Sequence, residues 1–168
     1  MGVALSSLAM GLYSLLLAVG LAVAAPWWLM RMVTSGRYRA GLLGRLGRVP
    51  RDLRETVAGK QVVWVHAVSV GEVLAATRLV GELAAALGEG WVIVVSTTTA
   101  TGQGLARERF GAGRVFWYPL DFAWAVRGYL RAMRPRLLVT MESELWPRML
   151  VECGRQGIPV AVVNARVS

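Results

Sequence analysis

Five short segments of this chain bring acidic, hydroxylic and basic side chains together, each just after an apolar run and the first four just before or within a helical pattern. The first is Ala67-Val68-Ser69-Val70-Gly71-Glu72. Its glycine permits a tight turn and close approach of a ligand. Glu72 then falls at a helix start. A carboxylate there can take a proton from a substrate hydroxyl, or it can simply complement the helix dipole. The second is Ser96-Thr97-Thr98-Thr99-Ala100-Thr101-Gly102. Hydroxyls and free backbone N–H groups ahead of a helix suit a phosphate or a sugar, and equally suit N-capping by Thr99 or Thr101. The segment lacks the Gly-Lys-Ser/Thr ending of a Walker loop, and no Gly-x-Gly-x-x-Gly follows the first strand.

The third segment is Tyr118-Pro119-Leu120-Asp121, where Asp121 is expected to cap the helix that follows. The fourth, Met141-Glu142-Ser143-Glu144-Leu145-Trp146-Pro147, sets two carboxylates beside a Trp-Pro anchor. Glu142 and Glu144 can bind substrate hydroxyls, position a basic partner, or face solvent. The fifth, Asn164-Ala165-Arg166-Val167-Ser168, offers an amide and a guanidinium. Arg166 can grip a phosphate or a carboxylate with two parallel bonds.

The elements between these segments explain why they would meet. Strands are expected at Val62–His66, Trp91–Ser96, Val115–Tyr118, Leu137–Met141 and Val160–Val163. Helices are expected at Glu72–Leu87, Thr101–Phe110, Phe122–Met133 and Pro147–Gln156. Strict alternation of strand and helix implies an α/β fold with a Rossmann-like parallel sheet covered on both faces. Strands buried on both sides read as continuous apolar runs, as Trp91-Val92-Ile93-Val94-Val95 does. In such sheets ligands bind beyond the carboxyl ends of the strands, where all five segments lie. The last expected strand has no closing helix after it. This leads to the expectation that residues 61–168 form an incomplete domain.

The first thirty residues have a different character. No charged side chain precedes Arg31. Leu5 to Leu29 would make a helix of roughly 37 Å, longer than the ~30 Å hydrocarbon core of a bilayer. Trp27 and Trp28 stand where an interfacial aromatic belt would, and arginines follow at 31, 37, 39, 45, 48, 51 and 54. Residues 1–30 therefore read as a transmembrane anchor in the inner (plasma) membrane, with the C-terminal side cytoplasmic by the positive-inside rule. Ala22-Val23-Ala24 resembles a signal-peptide cleavage site, but the basic region that would precede such a peptide is missing. Residues 31–60 read as a basic juxtamembrane connector with one short helix. Their arginines serve topology, anionic lipid, or both.

Composition closes off other classes. The chain of 168 residues carries a formal net charge of +9, one cysteine (Cys153) and one histidine (His66). No intrachain disulfide and no cysteine- or histidine-rich metal site can form from these residues. The charge raises nucleic-acid binding as a possibility. Against it, the arginines cluster beside the apolar segment without an aromatic-rich basic motif.

Taken together and in order, the five segments strongly resemble the N-terminal half of bacterial 3-deoxy-D-manno-octulosonic acid (Kdo) transferases of lipopolysaccharide synthesis. The Ser69-Val70-Gly71-Glu72 and Glu144-Leu145-Trp146-Pro147 stretches are the most specific parts. Gly44-Arg45-Leu46-Gly47 and the N-terminal anchor fit as well. The sequence departs from the family at Ser143, where threonine is usual, and at Thr99-Ala100-Thr101, where methionine, threonine and proline are expected. The resemblance implies a GT-B glycosyltransferase with two Rossmann-like domains, of which a C-terminal donor-binding domain is absent here. It implies CMP-Kdo as donor, lipid A or its precursor lipid IVA as acceptor, inversion at the transferred sugar, and no cofactor or metal for the transfer step. Glu72 would be the catalytic base and Glu142 a second essential acid. Ser69, Gly71, Thr98, Thr99, Glu142, Glu144, Arg45, Arg48 and Arg166 are the substrate-binding candidates around it. The alternative is a non-catalytic, membrane-tethered binding fragment.

Overall fold

The computed structural model describes residues 2–35, 41–142 and 146–164. Its contacts divide the chain into two compact units, Met1–Leu42 and Leu43–Ser168.

The first unit is dominated by one helix, α1 (Gly2–Ser35). Within it, Leu8–Thr34 has a mean hydropathy of 2.2 and is long and apolar enough to cross a membrane. Pro26 lies inside the helix, which nevertheless continues past the expected end at Leu29. The added turn is tied by the Thr34 hydroxyl donating to the Met30 carbonyl, 2.8 Å away. The Arg31 guanidinium lies over the Trp27 ring, 5.0 Å from its centroid.

The second unit is an α/β domain. Two short helices, α2 (Leu42–Arg45) and α3 (Arg51–Val57), form where the sequence suggests one. Then β1 (Gln61–His66), α4 (Val70–Leu87), β2 (Trp91–Thr97), α5 (Ala100–Phe110), β3 (Val115–Trp117), α6 (Ala123–Met133), β4 (Leu137–Met141), α7 (Pro147–Arg155) and β5 (Val160–Val163) alternate. All four strand pairings are parallel, and the sheet order is β3-β2-β1-β4-β5. The expected fold class is thus the observed one.

Alternation of side chains across the sheet makes two cores. Val62, Trp64, Val94, Phe116 and Leu138 face α3, α6 and α7, packing on Leu53, Tyr129, Leu130 and Met149. Val63, Val65, Ile93, Val95 and Val139 face α4 and α5, packing on Val73, Ala76 and Ala106. Each fully buried aliphatic side chain contributes ~1.5–3 kcal/mol. Trp64 anchors the first core against Phe116, Tyr118 and Tyr129, with centroids 5.3–6.2 Å apart.

Helices α6 and α7 are clasped by Glu152, a buried carboxylate. It accepts two bonds from Arg127, at 2.8 and 2.9 Å, and one from Arg155 at 3.1 Å. The paired Arg127 holds this carboxyl below its usual range against the opposing effect of burial. Cys153 is buried next to it. Burial, helped by the Glu152 charge, pushes its thiol up to about 11, so it serves as packing rather than as a nucleophile.

The segment after α2 is seated on α6 by glycines. Gly47 has φ +96°, and a Cβ there would lie 2.7 Å from the Ala125 Cα. A Cβ on Gly128 would lie 2.9 Å from the Gly47 carbonyl oxygen. The two backbones touch because neither residue has a side chain. Gly47→Ala is therefore expected to lower stability by roughly 2–4 kcal/mol through clash and backbone strain. Gly90→Ala, where a Cβ meets open space, should change it by less than ~1 kcal/mol. Urea denaturation in mild detergent measures both.

Candidate functional site

The strand order reverses direction at β1, which has β2 on one side and β4 on the other. Such a switch point opens a crevice at the carboxyl edge of the sheet. Of the expected site residues, Ser69, Gly71 and Glu72 follow β1 directly, and Glu142 follows β4 directly. The two segments with the most chemistry are thus neighbours across the switch.

Glu72 sits in the first turn of α4 and is buried, with 8% of its surface exposed. Its Oε2 accepts the Val68 N–H at 2.9 Å and its Oε1 accepts the Ser69 hydroxyl at 3.1 Å. Each oxygen keeps a further acceptor position. Ser69-Val70-Gly71-Glu72 has the spacing of a capping box, but the bonds are rearranged. In a capping box the serine hydroxyl accepts a backbone N–H. Here it donates to the carboxylate, and the carboxylate reaches one residue further back. The result fixes the carboxylate more than it caps the helix.

Gly71 needs a different explanation from the one its sequence position suggests. It is not at positive φ, and a Cβ there would meet only the Ser69 Oγ, at 4.0 Å. Ser69, with φ −120° and ψ 173°, makes the turn instead. What Gly71 leaves is open space on the exposed side of the helix start.

The second segment is stitched to the first by the Ala67 N–H donating to the Ser96 carbonyl, 3.0 Å away, and above all through the Val68 carbonyl. Val68 O accepts the N–H groups of Thr98 and Thr99, at 3.3 and 3.2 Å, and the Thr99 hydroxyl at 3.1 Å. Thr99 Oγ1 also accepts the Gly102 N–H at 3.1 Å and so caps α5. A Cβ on Gly102 would lie 2.8 Å from Thr99 Oγ1 and 3.2 Å from the Val68 carbonyl oxygen. The Thr98 carbonyl accepts from the Arg45 guanidinium, which also lies over the Trp117 ring, 4.5 Å from its centroid. The Arg45 carbonyl in turn accepts the Leu120 N–H at 2.7 Å. Arg45 thus reaches the carboxyl edge as a tie between α2 and the loops after β2 and β3. Arg48 is exposed nearby in sequence, its backbone N–H held by the Leu43 carbonyl.

Glu142 is half-buried, and its backbone is left-handed, at φ 59°. That conformation costs a non-glycine residue ~1–2 kcal/mol. Its N–H bonds the Val163 carbonyl at 2.8 Å, which holds the chain in place as it leaves the sheet. Glu144 and Arg166 lie outside the described residues, as does Ser143.

Asp121 does not cap the helix it precedes. The N-cap of α6 is Phe122, without a side-chain bond. Asp121 is buried and accepts the N–H groups of Arg148 and Met149, at 2.8 and 2.9 Å. It therefore caps α7, because the sheet brings the loops after β3 and β4 to the same edge.

Sequence reasoning used His66 only to exclude metal sites, yet it lies fully buried beneath the crevice. Its Nδ1 is 2.9 Å from the Ser96 hydroxyl and 3.2 Å from the Ser96 carbonyl. Its ring stacks on Tyr118 at 3.9 Å, and Tyr118 meets Trp146 at 5.6 Å. Nε2 of His66, Oγ1 of its strand partner Thr140, and Nε1 of Trp146 are buried without a partner among the described residues. Its place at the last position of β1, pointing to the same face as Trp64, was the available signal.

Residues 40–168 match the family model described as 3-deoxy-D-manno-octulosonic-acid transferase (kdotransferase). The chain belongs to that family. It is 37% identical over 166 residues to the 3-deoxy-D-manno-octulosonic acid transferase of Bordetella pertussis, covering 94% of this chain and 37% of that protein. The enzyme of the same name from Haemophilus influenzae is 34% identical over 137 residues, 81% of this chain and 31% of the relative. That from Chlamydia pneumoniae is 30% identical over 160 residues, 93% and 35%. The chain thus spans about a third of the length of these Kdo transferases.

Two outcomes follow for this site. Gly102→Ala should lower stability by roughly 1–3 kcal/mol, by pushing the α5 cap away from the Val68 carbonyl. Thermal denaturation checks this. The second concerns pH. Burial lowers the His66 pKa from 6.5 to about 4, against the opposing Ser96 carbonyl. Above pH 6.5 the imidazole is neutral in both states and contributes no pH dependence. Between 6.5 and about 4 the unfolded chain binds a proton that the native state refuses, so stability falls as pH falls, by on the order of 3 kcal/mol. His66→Gln should flatten that part of the curve in urea titrations between pH 7 and 4.5.

Proposed function

We propose that this chain is the acceptor-binding part of an inverting GT-B glycosyltransferase that moves Kdo from CMP-Kdo to the lipid A precursor lipid IVA in lipopolysaccharide synthesis, with Glu72 as general base. The observation that carries the reading is the Glu72 carboxylate, oriented by the Val68 N–H and the Ser69 hydroxyl at the switch point of the sheet. An acceptor hydroxyl there would give its proton to Glu72 as its oxygen bonds to the anomeric carbon of Kdo. The bond from that carbon to the CMP phosphate oxygen breaks, and CMP leaves with the electron pair. CMP is a good leaving group, so the main demand on the protein is the base.

The other candidates take roles around this step. Ser69 holds the base. The open space beside Gly71, with Thr98 and Thr99, receives the acceptor sugar. Glu142, after the neighbouring strand β4, and Glu144 bind its hydroxyls, and Arg45, Arg48 and Arg166 meet acceptor phosphates. Exposed Leu43, Leu46 and Trp124 add apolar surface suited to a lipid-borne acceptor. The α1 helix supports a single-pass inner-membrane anchor with the α/β domain on the cytoplasmic side, which keeps enzyme and acceptor on one surface. Most donor contacts would come from a second, C-terminal domain of the GT-B arrangement.

A second reading is a non-catalytic, membrane-tethered binding fragment, with α1 as the tether. One assay addresses both. In the full-length enzyme, Glu72→Gln should reduce Kdo transfer to lipid IVA by ~10²- to 10⁴-fold with the circular dichroism spectrum unchanged. Near-normal turnover by the folded variant overturns the role of Glu72. Binding of lipid IVA with no Kdo transfer by the unsubstituted full-length protein favours the fragment reading.

A further inference from the structure

The opposite, amino-terminal edge of the sheet carries a cleft of about 960 Å³. Five cations line it: Arg54 near the end of α3, Lys60 just before β1, Arg131 and Arg134 at the end of α6, and Arg136 just before β4. No aspartate or glutamate is among the lining residues. Arg51, Arg78, Arg127, Arg148 and Arg155 each lie within 4 Å of a carboxylate. Among the described residues, none of the five cleft cations is in such a pair. Arg48, Arg107, Arg109 and Arg114 also lie outside the ion pairs, so the cleft is marked by the convergence of five cations with no acid among them. The acidic side chains are placed elsewhere, and the cleft keeps its charge.

Arg134 adds an independent argument. Helix α6 must stop there, because Pro135 follows. The residue at that stop is left-handed, with φ 45° and ψ 56°, a place where glycine or asparagine is usual. An arginine accepts a backbone strain there that asparagine would lessen. What it adds is a guanidinium at the mouth of a cleft already lined by four other cations. Guanidinium groups match phosphate oxygens in paired bonds, and a multiply charged anion relieves the repulsion among like charges packed together.

We propose that this cleft is a binding site for a phosphate-bearing anion of the diphosphate or phosphodiester class, at the sheet edge opposite Glu72. It is separate from the acceptor site and does not depend on the transfer chemistry. The phosphate can come from a soluble compound or from a lipid headgroup.

The test is isothermal titration calorimetry on the whole chain in an uncharged detergent. The probes are inorganic pyrophosphate, dihexanoyl phosphatidylglycerol, and dihexanoyl phosphatidylcholine as the zwitterionic control. At least one of the two anionic probes should bind, and the control should not. Arg131→Gln/Arg134→Asn should weaken that binding by about tenfold or more, and the equally charge-reduced Arg107→Gln/Arg109→Gln by less than about twofold. All four are exposed, so both variants should keep the wild-type circular dichroism spectrum. Binding of pyrophosphate alone identifies a soluble source, and binding of phosphatidylglycerol alone a lipid one. Binding by neither, or equal weakening in the two double variants, overturns the proposal.

Discussion

The backbone of Val68 is the constraint on which the candidate site depends. Its N–H is given to Glu72, and its own carbonyl takes three donors from Thr98 and Thr99. A backbone group cannot swing away as a side chain can, so the carboxylate inherits the rigidity of the sheet. The loop after β2 is held from its other side as well, by Arg45 at the Thr98 carbonyl. Gly102 allows this closeness by having no Cβ. A displacement of any one of these groups would be felt at Glu72, which is how a positioned base loses its geometry without being touched.

The sheet itself changes character along its length. On the face toward α6 and α7, the first strand runs Val62, Trp64, His66, from wholly apolar to polar at the carboxyl end. Its neighbours do the same, with Val94 followed by Ser96, and Leu138 by Thr140. The interior beneath the crevice is therefore hydrogen-bonding rather than oily. Among the described residues, His66 Nε2, Thr140 Oγ1 and Trp146 Nε1 are buried there without a protein partner, as expected where water or a ligand completes the bonding. Chain exits from β4 and β5 are sharp at the same edge, with Glu142 at φ 59° and Asn164 at φ 60°. Asparagine tolerates that conformation readily, whereas glutamate does so at a cost.

Much of this architecture was legible in the residues. Parallel strands buried on both faces leave uninterrupted apolar runs, and the ends of Leu137–Met141 and Val160–Val163 coincide with the expected ones. Glu72 and Glu142 could be placed on one edge because every strand of such a sheet points the same way. What escaped was contact between residues distant in sequence. Asp121 looked like a local cap, and only the meeting of two loops gives it α7. Arg45 read as a substrate-binding cation, and its place over Trp117 needs the tertiary fold. The role of Gly47 likewise depends on Ala125, far along the chain. Gly71 misled in the opposite sense, since a glycine between a strand and a helix suggests a turn that Ser69 already makes.

The strand order has a consequence for the birth of the protein. The central strand β1 leaves the ribosome early, but one of its two partners is β4, so Val63 must wait for Leu137. Until then β1 is an open edge carrying Val62-Val63-Trp64-Val65, a sequence made to be covered. Closing so long a loop is slow, and parallel pairing gives no local shortcut. Aggregation competes during that interval, and variants that delay β4 should show it first as low yield of an otherwise normal protein.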